Sequence, residues 1–205
     1  MRSERSTDAS RTLNARAREL EGDSHRDPLT GLPNSTWFDV QLAHLFGEVH
    51  EARSPLTLML VDVDGLQAIN QQHGHGAGEK VIISVAACLR SKLRPRDLVA
   101  RHGAAAFCIL LPRAPAAAGR VVAERLRAGV ADAGHDVASA HTLRVTISIG
   151  CVTLERGGCA GFVTRQEVVD SAARALGSAK RDGGNKIVFL VDKAGESLDR
   201  PPSAV

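Results

Sequence analysis

The sequence is poor in aromatic residues. Among 205 residues it has no tyrosine, one tryptophan and five phenylalanines. Its basic residues are mostly arginines spread along the chain, without a cluster and without interleaved aromatic residues, and the formal net charge is only +3. A surface that binds nucleic acid usually has clustered basic residues with aromatic residues among them. We therefore expect no nucleic-acid partner.

Long apolar runs are also missing. No stretch approaches the roughly 20 apolar residues that a membrane-spanning helix needs, and the polar start MRSERSTDASR has no apolar signal core. The sequence thus predicts no membrane span. The four cysteines show no CxxC spacing, which favours reduced thiols packed as small apolar side chains over a metal site or a disulfide. They are Cys88, Cys108, Cys151 and Cys159.

With 43% hydrophobic residues, the chain can bury one good-sized core, and we expect one domain over residues 25–192. Residues 1–24 are predicted to be a disordered segment with a short linker helix, Asp8–Gly22, and residues 193–205 a flexible tail. Apolar periodicity and Pro or Gly breaks predict further helices and strands. The first of these helices begins near Asn34 or Ser35, and the others cover Ala77–Leu93, Ala116–Ala133 and Arg165–Arg181. The predicted strands are Leu56–Asp62, Leu98–Arg101, Phe107–Leu111, His141–Leu154 and Lys186–Val191.

This element order, β-α-β-β-α-β with extra helices and an extra strand, predicts an α+β fold. Its central sheet would be mainly antiparallel and flanked by helices. Alternating apolar and polar residues in His141–Leu154 predict that this strand has one face in water. The helix over Ala116–Ala133 is expected to pack through its apolar residues Val121, Val122, Leu126 and Val130.

The first strand ends in Asp62-Val63-Asp64-Gly65. A carboxylate at the end of a central strand commonly holds a divalent cation against phosphates. His73 and His75, on either side of Gly74, resemble a metal pair, but a turn capped by histidine is the favoured interpretation.

Five motifs follow one another along the chain: DPLTGLPN (27–34), the segment VDVDGLQAINQQHGHGAGEKVI (61–82), GAAAF (103–107), TISIG (146–150) and AKRDGGN (179–185). In this order they resemble the motifs of the GGDEF domain family, the diguanylate cyclases. The resemblance spans about Asp27 to Val191. It implies a palm-like, ferredoxin-related nucleotidyl-cyclase fold.

The resemblance also implies a nucleotide site. Asp62 and the carbonyl of Val63 would be vestigial metal ligands, with no metal expected at them. The remaining vestigial nucleotide-binding residues would be Asn70 and Glu79 at the guanine, Gly65 and Leu66 at phosphate, and Lys180 and Gly103. Several positions depart from the family pattern: Gln67 replaces a lysine, Gln71 and Glu79 replace aspartates, and Gly184 replaces an arginine.

The signature hairpin departs most. Where the family has Gly-Gly-(Asp/Glu)-Glu-Phe, this chain has Gly103-Ala104-Ala105-Ala106-Phe107, so Ala105 and Ala106 replace the acidic pair. One carboxylate is a poor site for cations that prefer several oxygen ligands. We therefore expect the chain not to be an enzyme, with catalytic residues lost at these two positions, and Mg²⁺ to matter only for residual GTP binding. The alanines fit natural decay and deliberate substitution alike.

A second motif matches the family's inhibitory RxxD site for cyclic di-GMP. Arg94-Pro95-Arg96-Asp97 stands at the corresponding place before the hairpin, and Arg125, or its neighbour Arg127, stands where the family often supplies a further arginine. An arginine presents a planar fork to guanine O6 and N7. We predict a cyclic di-GMP site at Arg94, Asp97 and Arg125, with a surface ion pair as the alternative.

Three functions remain in view. The first is a non-catalytic cyclic di-GMP receptor that signals to a partner protein, with no required cofactor. The second is a scaffold that binds no nucleotide, and the third is a cyclase that tolerates the alanines or was inactivated by them. A homodimer is a further expectation, and the resemblance implies a bacterial, cytoplasmic setting.

Overall fold

The structure, a computed structural model, describes residues 25–52, 54–138, 141–155 and 164–192. The predicted helix Asp8–Gly22, the predicted tail 193–205 and Cys159 lie outside these ranges. Within the described residues, no helix combines the length and apolar character needed to cross a bilayer.

The described chain forms five helices and seven strands. The helices are α1 (Ser35–Ala52), α2 (Leu66–His73), α3 (His75–Ser91), α4 (Ala116–Asp132) and α5 (Arg165–Arg181). The strands are β1 (Leu56–Val63), β2 (Leu98–Arg101), β3 (Ala106–Pro112), β4 (His135–Ala138), β5 (His141–Leu143), β6 (Ile147–Leu154) and β7 (Ile187–Asp192).

Five strands form one sheet in the order β2-β3-β1-β6-β7. The first three pairings are antiparallel, and only β6 and β7 run parallel. The predicted α+β fold with a mainly antiparallel sheet is therefore confirmed. Strands β4 and β5 form a separate two-stranded sheet.

The core has two layers, one on each face of the sheet. Successive side chains of a strand point to opposite faces, and β1 accordingly gives Met59 and Val61 to one layer and Leu58 and Leu60 to the other. Helices α3 and α4 cover the first layer, whereas α1 and α5 cover the second. Because both faces of β1 are covered, its carboxyl end lies at a fixed position between the layers.

Local capping signals set the helix ends. Asn34 Oδ1 accepts a hydrogen bond from the backbone N–H of Trp37 (3.1 Å), which confirms the predicted start of α1. Thr164 and Glu167 form a capping box at the start of α5. The predicted helix Arg165–Arg181 is confirmed.

The prediction of one strand over His141–Leu154 is wrong. The segment splits into β5 and β6, and β5 pairs with β4 away from the main sheet. The predicted wet face is also wrong, because β6 is buried throughout between β1 and β7. Its polar residues Ser148 and Thr153 are satisfied inside the protein, by Asp64 and Thr57 respectively. Alternation therefore did not mark exposure here.

Two further differences concern helices. Of the four apolar residues expected to pack from α4, Val122, Leu126 and Val130 are buried as predicted, whereas Val121 is 67% exposed because it lies beside their stripe and not on it. Helix α2 was not predicted, and it has no buried residue that could have produced an apolar pattern.

The three described cysteines are free thiols, of which Cys108 and Cys151 are buried and Cys88 is half-buried. Burial raises the pKa of the Cys108 and Cys151 thiols well above the ordinary value, so that both remain protonated at neutral pH.

Candidate functional site

The carboxyl end of β1 places Asp62 between two neighbouring strands. Asp62 is in register with Ala106 on β3 and with Ser148 on β6. Its Oδ1 pairs with Lys180 Nζ from α5 at 2.7 Å. Burial raises the pKa of Asp62, and the ion pair with Lys180 opposes this rise. The structure thus joins two predicted nucleotide-site residues from distant parts of the sequence.

The residues around Asp62 do not fit a divalent cation in the arrangement that the resemblance implies. A hard cation takes several oxygen ligands, but Asp62 is already paired with Lys180 and faces the methyl group of Ala106. Among the described residues, no group of three or more His, Cys, Asp or Glu side chains could hold a metal ion. Val63 is buried, and its N–H donates to the carbonyl of Ala105 (3.1 Å). We therefore assign no chemical step to a cation here.

Asp64, which was not singled out from the sequence, connects three segments. Its Oδ2 accepts from Thr146 Oγ1 (2.7 Å) and from the Asn185 backbone N–H (2.8 Å). Its Oδ1 accepts from Ser148 Oγ (2.7 Å). Gly184 has φ +72°, and a Cβ there would lie 3.1 Å from the Asp64 carboxyl carbon. A side chain at 184 would therefore require the Asp64 carboxylate to shift by a few tenths of an ångström.

The predicted guanine-reading residues lie on α2 and α3. Asn70 packs directly against Gly78, where any Cβ would collide with the Asn70 amide. The buried Asn70 Oδ1 has no hydrogen-bond partner in the described structure. Glu79 is exposed at the next position. Asn70 thus lies against the residue that precedes Glu79, and the role of Asn70 and Glu79 toward a nucleotide stays a prediction.

The remaining predicted nucleotide residues are distributed over two loops. Gly65 is exposed and begins α2 with φ +69°, and Leu66 is half-buried. Gly103 lies exposed in the hairpin loop, where its carbonyl accepts from Arg101 Nε (3.0 Å). Both loops lie at the same end of β1, because Val63 bonds to Ala105 across the sheet. His73 and His75 are both exposed on either side of Gly74.

Arg101 holds the hairpin loop to the DPLTGLPN segment. Its guanidinium donates to the Ala104 carbonyl (3.0 Å) and to Asp27 Oδ1 (2.9 Å). The same Asp27 oxygen accepts from the Thr30 backbone N–H (2.8 Å) and Thr30 Oγ1 (2.7 Å). Burial raises the pKa of Asp27, but the hydrogen bonds from Thr30 and Arg101 together hold it below its ordinary value. Sequence reasoning missed Arg101, because no local pattern distinguishes it from the other arginines.

The Arg94–Asp97 segment forms a compact turn between α3 and β2. Asp97 Oδ2 accepts from the Arg94 backbone N–H (2.9 Å), and the Asp97 N–H donates to the Arg94 carbonyl (2.9 Å). These two bonds orient the carboxylate. Arg94 is exposed and Asp97 is half-buried.

Two clefts adjoin this turn and share Arg94 and Asp97. We name the smaller one, of about 200 Å³, the arginine cleft. It is lined by four arginines, one aspartate and the exposed Val121 among other apolar residues; the charged members are Arg94, Arg96, Asp97, Arg113 and Arg125. We name the larger one, of about 330 Å³, the tryptophan cleft, which is lined by Trp37, Pro33, Arg90 and Leu93 besides the shared pair.

Arg127 lies elsewhere. It makes a two-bonded ion pair with Glu124 (2.6 and 2.9 Å) and donates to Asn185 Oδ1 (2.6 Å). The structure therefore brings Arg125, and not the neighbour Arg127, to the Arg94–Asp97 turn.

Comparison with known proteins identifies the family. The model of "Diguanylate cyclase, GGDEF domain" matches residues 24–186. Diguanylate cyclase DgcP of Pseudomonas aeruginosa is 37% identical over 161 residues, which are 78% of this chain and 23% of that protein. Probable diguanylate cyclase DgcT of Escherichia coli is 32% identical over 166 residues, 80% of this chain and 35% of that protein. The chain thus spans about a quarter to a third of these relatives.

Solved structures agree with the sequence comparison. The coiled coil and GGDEF domain of DgcB from Caulobacter crescentus, in complex with c-di-GMP, superposes with a TM-score of 0.82 at 27% identity and covers 90% of this chain and 95% of that one. Diguanylate cyclase SiaD from Pseudomonas aeruginosa, in complex with its activator SiaC, superposes with a TM-score of 0.77 at 32% identity, covering 92% and 69%.

These relatives correct one expectation from the sequence. The alanines at 105 and 106 led us to expect that the chain is not an enzyme, but the relatives that it matches are named as diguanylate cyclases. That expectation is wrong: it was drawn from the two lost acids of the hairpin and from the departures at Gln67 and Gly184, whereas the chain matches an enzyme family over residues 24–186. With its fold, its motifs and these matches in agreement, the chain belongs to the GGDEF domain family of diguanylate cyclases.

Proposed function

We propose that this domain binds cyclic di-GMP at the Arg94–Asp97 turn and transmits this binding to a partner protein. The observation that carries the proposal is the meeting of Arg94, Asp97 and Arg125 in the arginine cleft, although Arg125 belongs to a different element. The three residues were selected from the sequence by resemblance, and their meeting in one cleft agrees with that selection.

The chemistry of the cleft suits a cyclic dinucleotide. Arginine forks bind phosphate oxygens and the O6/N7 edge of guanine with paired hydrogen bonds. A carboxylate accepts from guanine N1–H and N2–H, and Asp97 is held in a fixed orientation by the Arg94 backbone. Four arginines against one aspartate give the cleft the positive charge that two phosphates require.

The relatives support this proposal. The DgcB structure was solved in complex with c-di-GMP, and SiaD was solved in complex with a protein activator. A dinucleotide ligand and a protein partner are therefore both found among structural neighbours of this chain. A bacterial, cytoplasmic setting and a homodimer belong to the same proposal.

The test is calorimetric titration of cyclic di-GMP into the protein, into Arg94→Ala and into Arg165→Ala. Arg165 is exposed at the start of α5 and lines neither cleft, so it controls for the loss of one positive charge. We expect binding that Arg94→Ala weakens by about tenfold or more, since a hydrogen bond to a charged group contributes about 1.5–3 kcal/mol. Absence of binding by the folded protein would refute the proposal and favour the nucleotide-independent scaffold.

A second candidate function is the formation of cyclic di-GMP from GTP, which the family relationship favours. GTP conversion in the presence of Mg²⁺, followed by chromatography of the product, tests it. Asp62 is the carboxylate at the end of β1 and has Lys180 beside it, so Asp62→Asn should reduce any conversion strongly. Conversion that is unchanged in Asp62→Asn would place the activity elsewhere or in a contaminant.

A further inference from the structure

The tryptophan cleft is the larger of the two, and nothing in the proposed function uses it. Its volume of about 330 Å³ lies within the usual range for small-molecule sites, about 300–1,000 Å³. One wall comes from α1 and the residues before it, through Trp37 and Pro33. The other comes from the end of α3 and the turn after it, through Arg90, Leu93 and Arg94.

Trp37 is held in place at this wall. Its backbone N–H donates to Asn34 Oδ1, which fixes the first turn of α1. Its half-buried side chain packs against the core layer between the sheet and α1, while part of it borders the cleft. A fixed aromatic ring at the edge of a cleft is a surface on which a nucleobase can stack.

The two clefts adjoin through Arg94 and Asp97, which line both of them. The arginine cleft supplies positive charge, whereas the tryptophan cleft supplies one indole, several apolar residues and Arg90. A cyclic dinucleotide likewise has two kinds of part, a charged phosphodiester ring and two flat bases. One such ligand bound across the shared residues could therefore occupy both clefts.

We propose that the tryptophan cleft is a base subsite, in which one guanine of cyclic di-GMP stacks on Trp37. The phosphates of the same ligand lie in the arginine cleft, where they contact Arg94. Arg90 borders the tryptophan cleft and supplies a second donor group to that base. The inference rests on the proposed function, since it requires cyclic di-GMP to bind at the Arg94–Asp97 turn. It goes further by naming Trp37 as a contact that sets affinity.

The chain provides its own probe for this contact. Trp37 is the single tryptophan and there is no tyrosine, so the selectively excited protein emission comes from Trp37 alone. Saturating cyclic di-GMP should quench this emission, since a stacked guanine lies against the indole. The change should follow the calorimetric binding curve and move to about tenfold or more higher ligand concentration in Arg94→Ala. GMP titrated to the same absorbance controls for light absorbed by the ligand.

Three variants separate stacking from packing. Trp37→Leu keeps an apolar side chain but removes the ring, and cyclic di-GMP should bind about 5- to 150-fold more weakly, the range expected for loss of base–aromatic stacking. Trp37→Phe keeps a ring and should lose less. Phe46→Leu removes an aromatic residue from the same helix that packs on the same core layer but lines neither cleft, and it should bind like the parent.

The outcomes distinguish the inference from the proposed function. Calorimetric binding that needs Arg94 but leaves Trp37 emission unchanged, with Trp37→Phe and Trp37→Leu binding like the parent, overturns the base subsite and leaves the proposed function standing. No calorimetric binding at all overturns both. If Trp37→Leu does not fold, the emission of the parent protein and the affinity of Trp37→Phe decide the question.

Discussion

Arg101 offers the sharpest test of how the hairpin loop is held. Its side chain is 15% exposed and that of Asp27 is 17% exposed, so the ion pair between them is largely shielded from water. Arg101→Met removes every donor but keeps most of the length of the side chain. The variant loses the bond to Asp27 and two exposed bonds to the carbonyls of Gly103 and Ala104.

The expected loss can be estimated bond by bond. A hydrogen bond to a charged group contributes about 1.5–3 kcal/mol, and exposed bonds contribute toward the lower end of about 0.5–1.5 kcal/mol. We expect Arg101→Met to lower the free energy of unfolding by about 2–4 kcal/mol. Asp27→Asn keeps an acceptor for Thr30. Comparison of the two single variants with the double variant then gives the coupling energy between Arg101 and Asp27, which we expect to be about 1–3 kcal/mol.

The assay is urea unfolding followed by circular dichroism, with Arg165→Met as an exposed control that should change stability by less than about 0.5 kcal/mol. The coupling should depend on pH. Because the folded-state pKa of Asp27 lies below its ordinary value of 3.8, the stabilisation is complete above that value. It is lost as the pH falls through the lower, folded-state pKa. A coupling near zero at neutral pH would refute the reasoning, and so would a coupling that grows on acidification.

Two further predictions concern the contact between α2 and α3 and the end of β1. Gly78→Ala places a Cβ into the Asn70 amide and should cost about 1–3 kcal/mol of unfolding free energy, measured by the same assay; an unchanged stability would mean that Asn70 moves freely. Ala106→Glu puts a second carboxylate directly opposite Asp62 and should raise the affinity for Mn²⁺, measured by calorimetry, at least about tenfold. The control Ala104→Glu lies in the exposed loop and should not raise it. Equal Mn²⁺ affinities in both variants would contradict the argument from the strand register.

Features that depend on neighbouring residues were predicted correctly, whereas features that depend on distant contacts were not. Helix α5 was predicted with its observed bounds, because its capping box and its apolar spacing are both local. The segment over His141–Leu154 was mispredicted, because Ser148 and Thr153 look exposed in the sequence but bond to buried partners. A polar residue on a strand indicates water only when no distant partner reaches it.

The sequence by itself determined the family and most of the elements, and it singled out the Arg94–Asp97 segment, since caps, breakers and motifs are read from neighbouring residues. The tertiary structure alone decided which distant residues meet. Asp64 bonds to residues 82, 84 and 121 positions away, and Arg101 bonds to Asp27 across 74 positions. Arg125 and Trp37 reach the Arg94–Asp97 turn from different helices. Such meetings depend on how helices pack on the sheet, which no local pattern encodes.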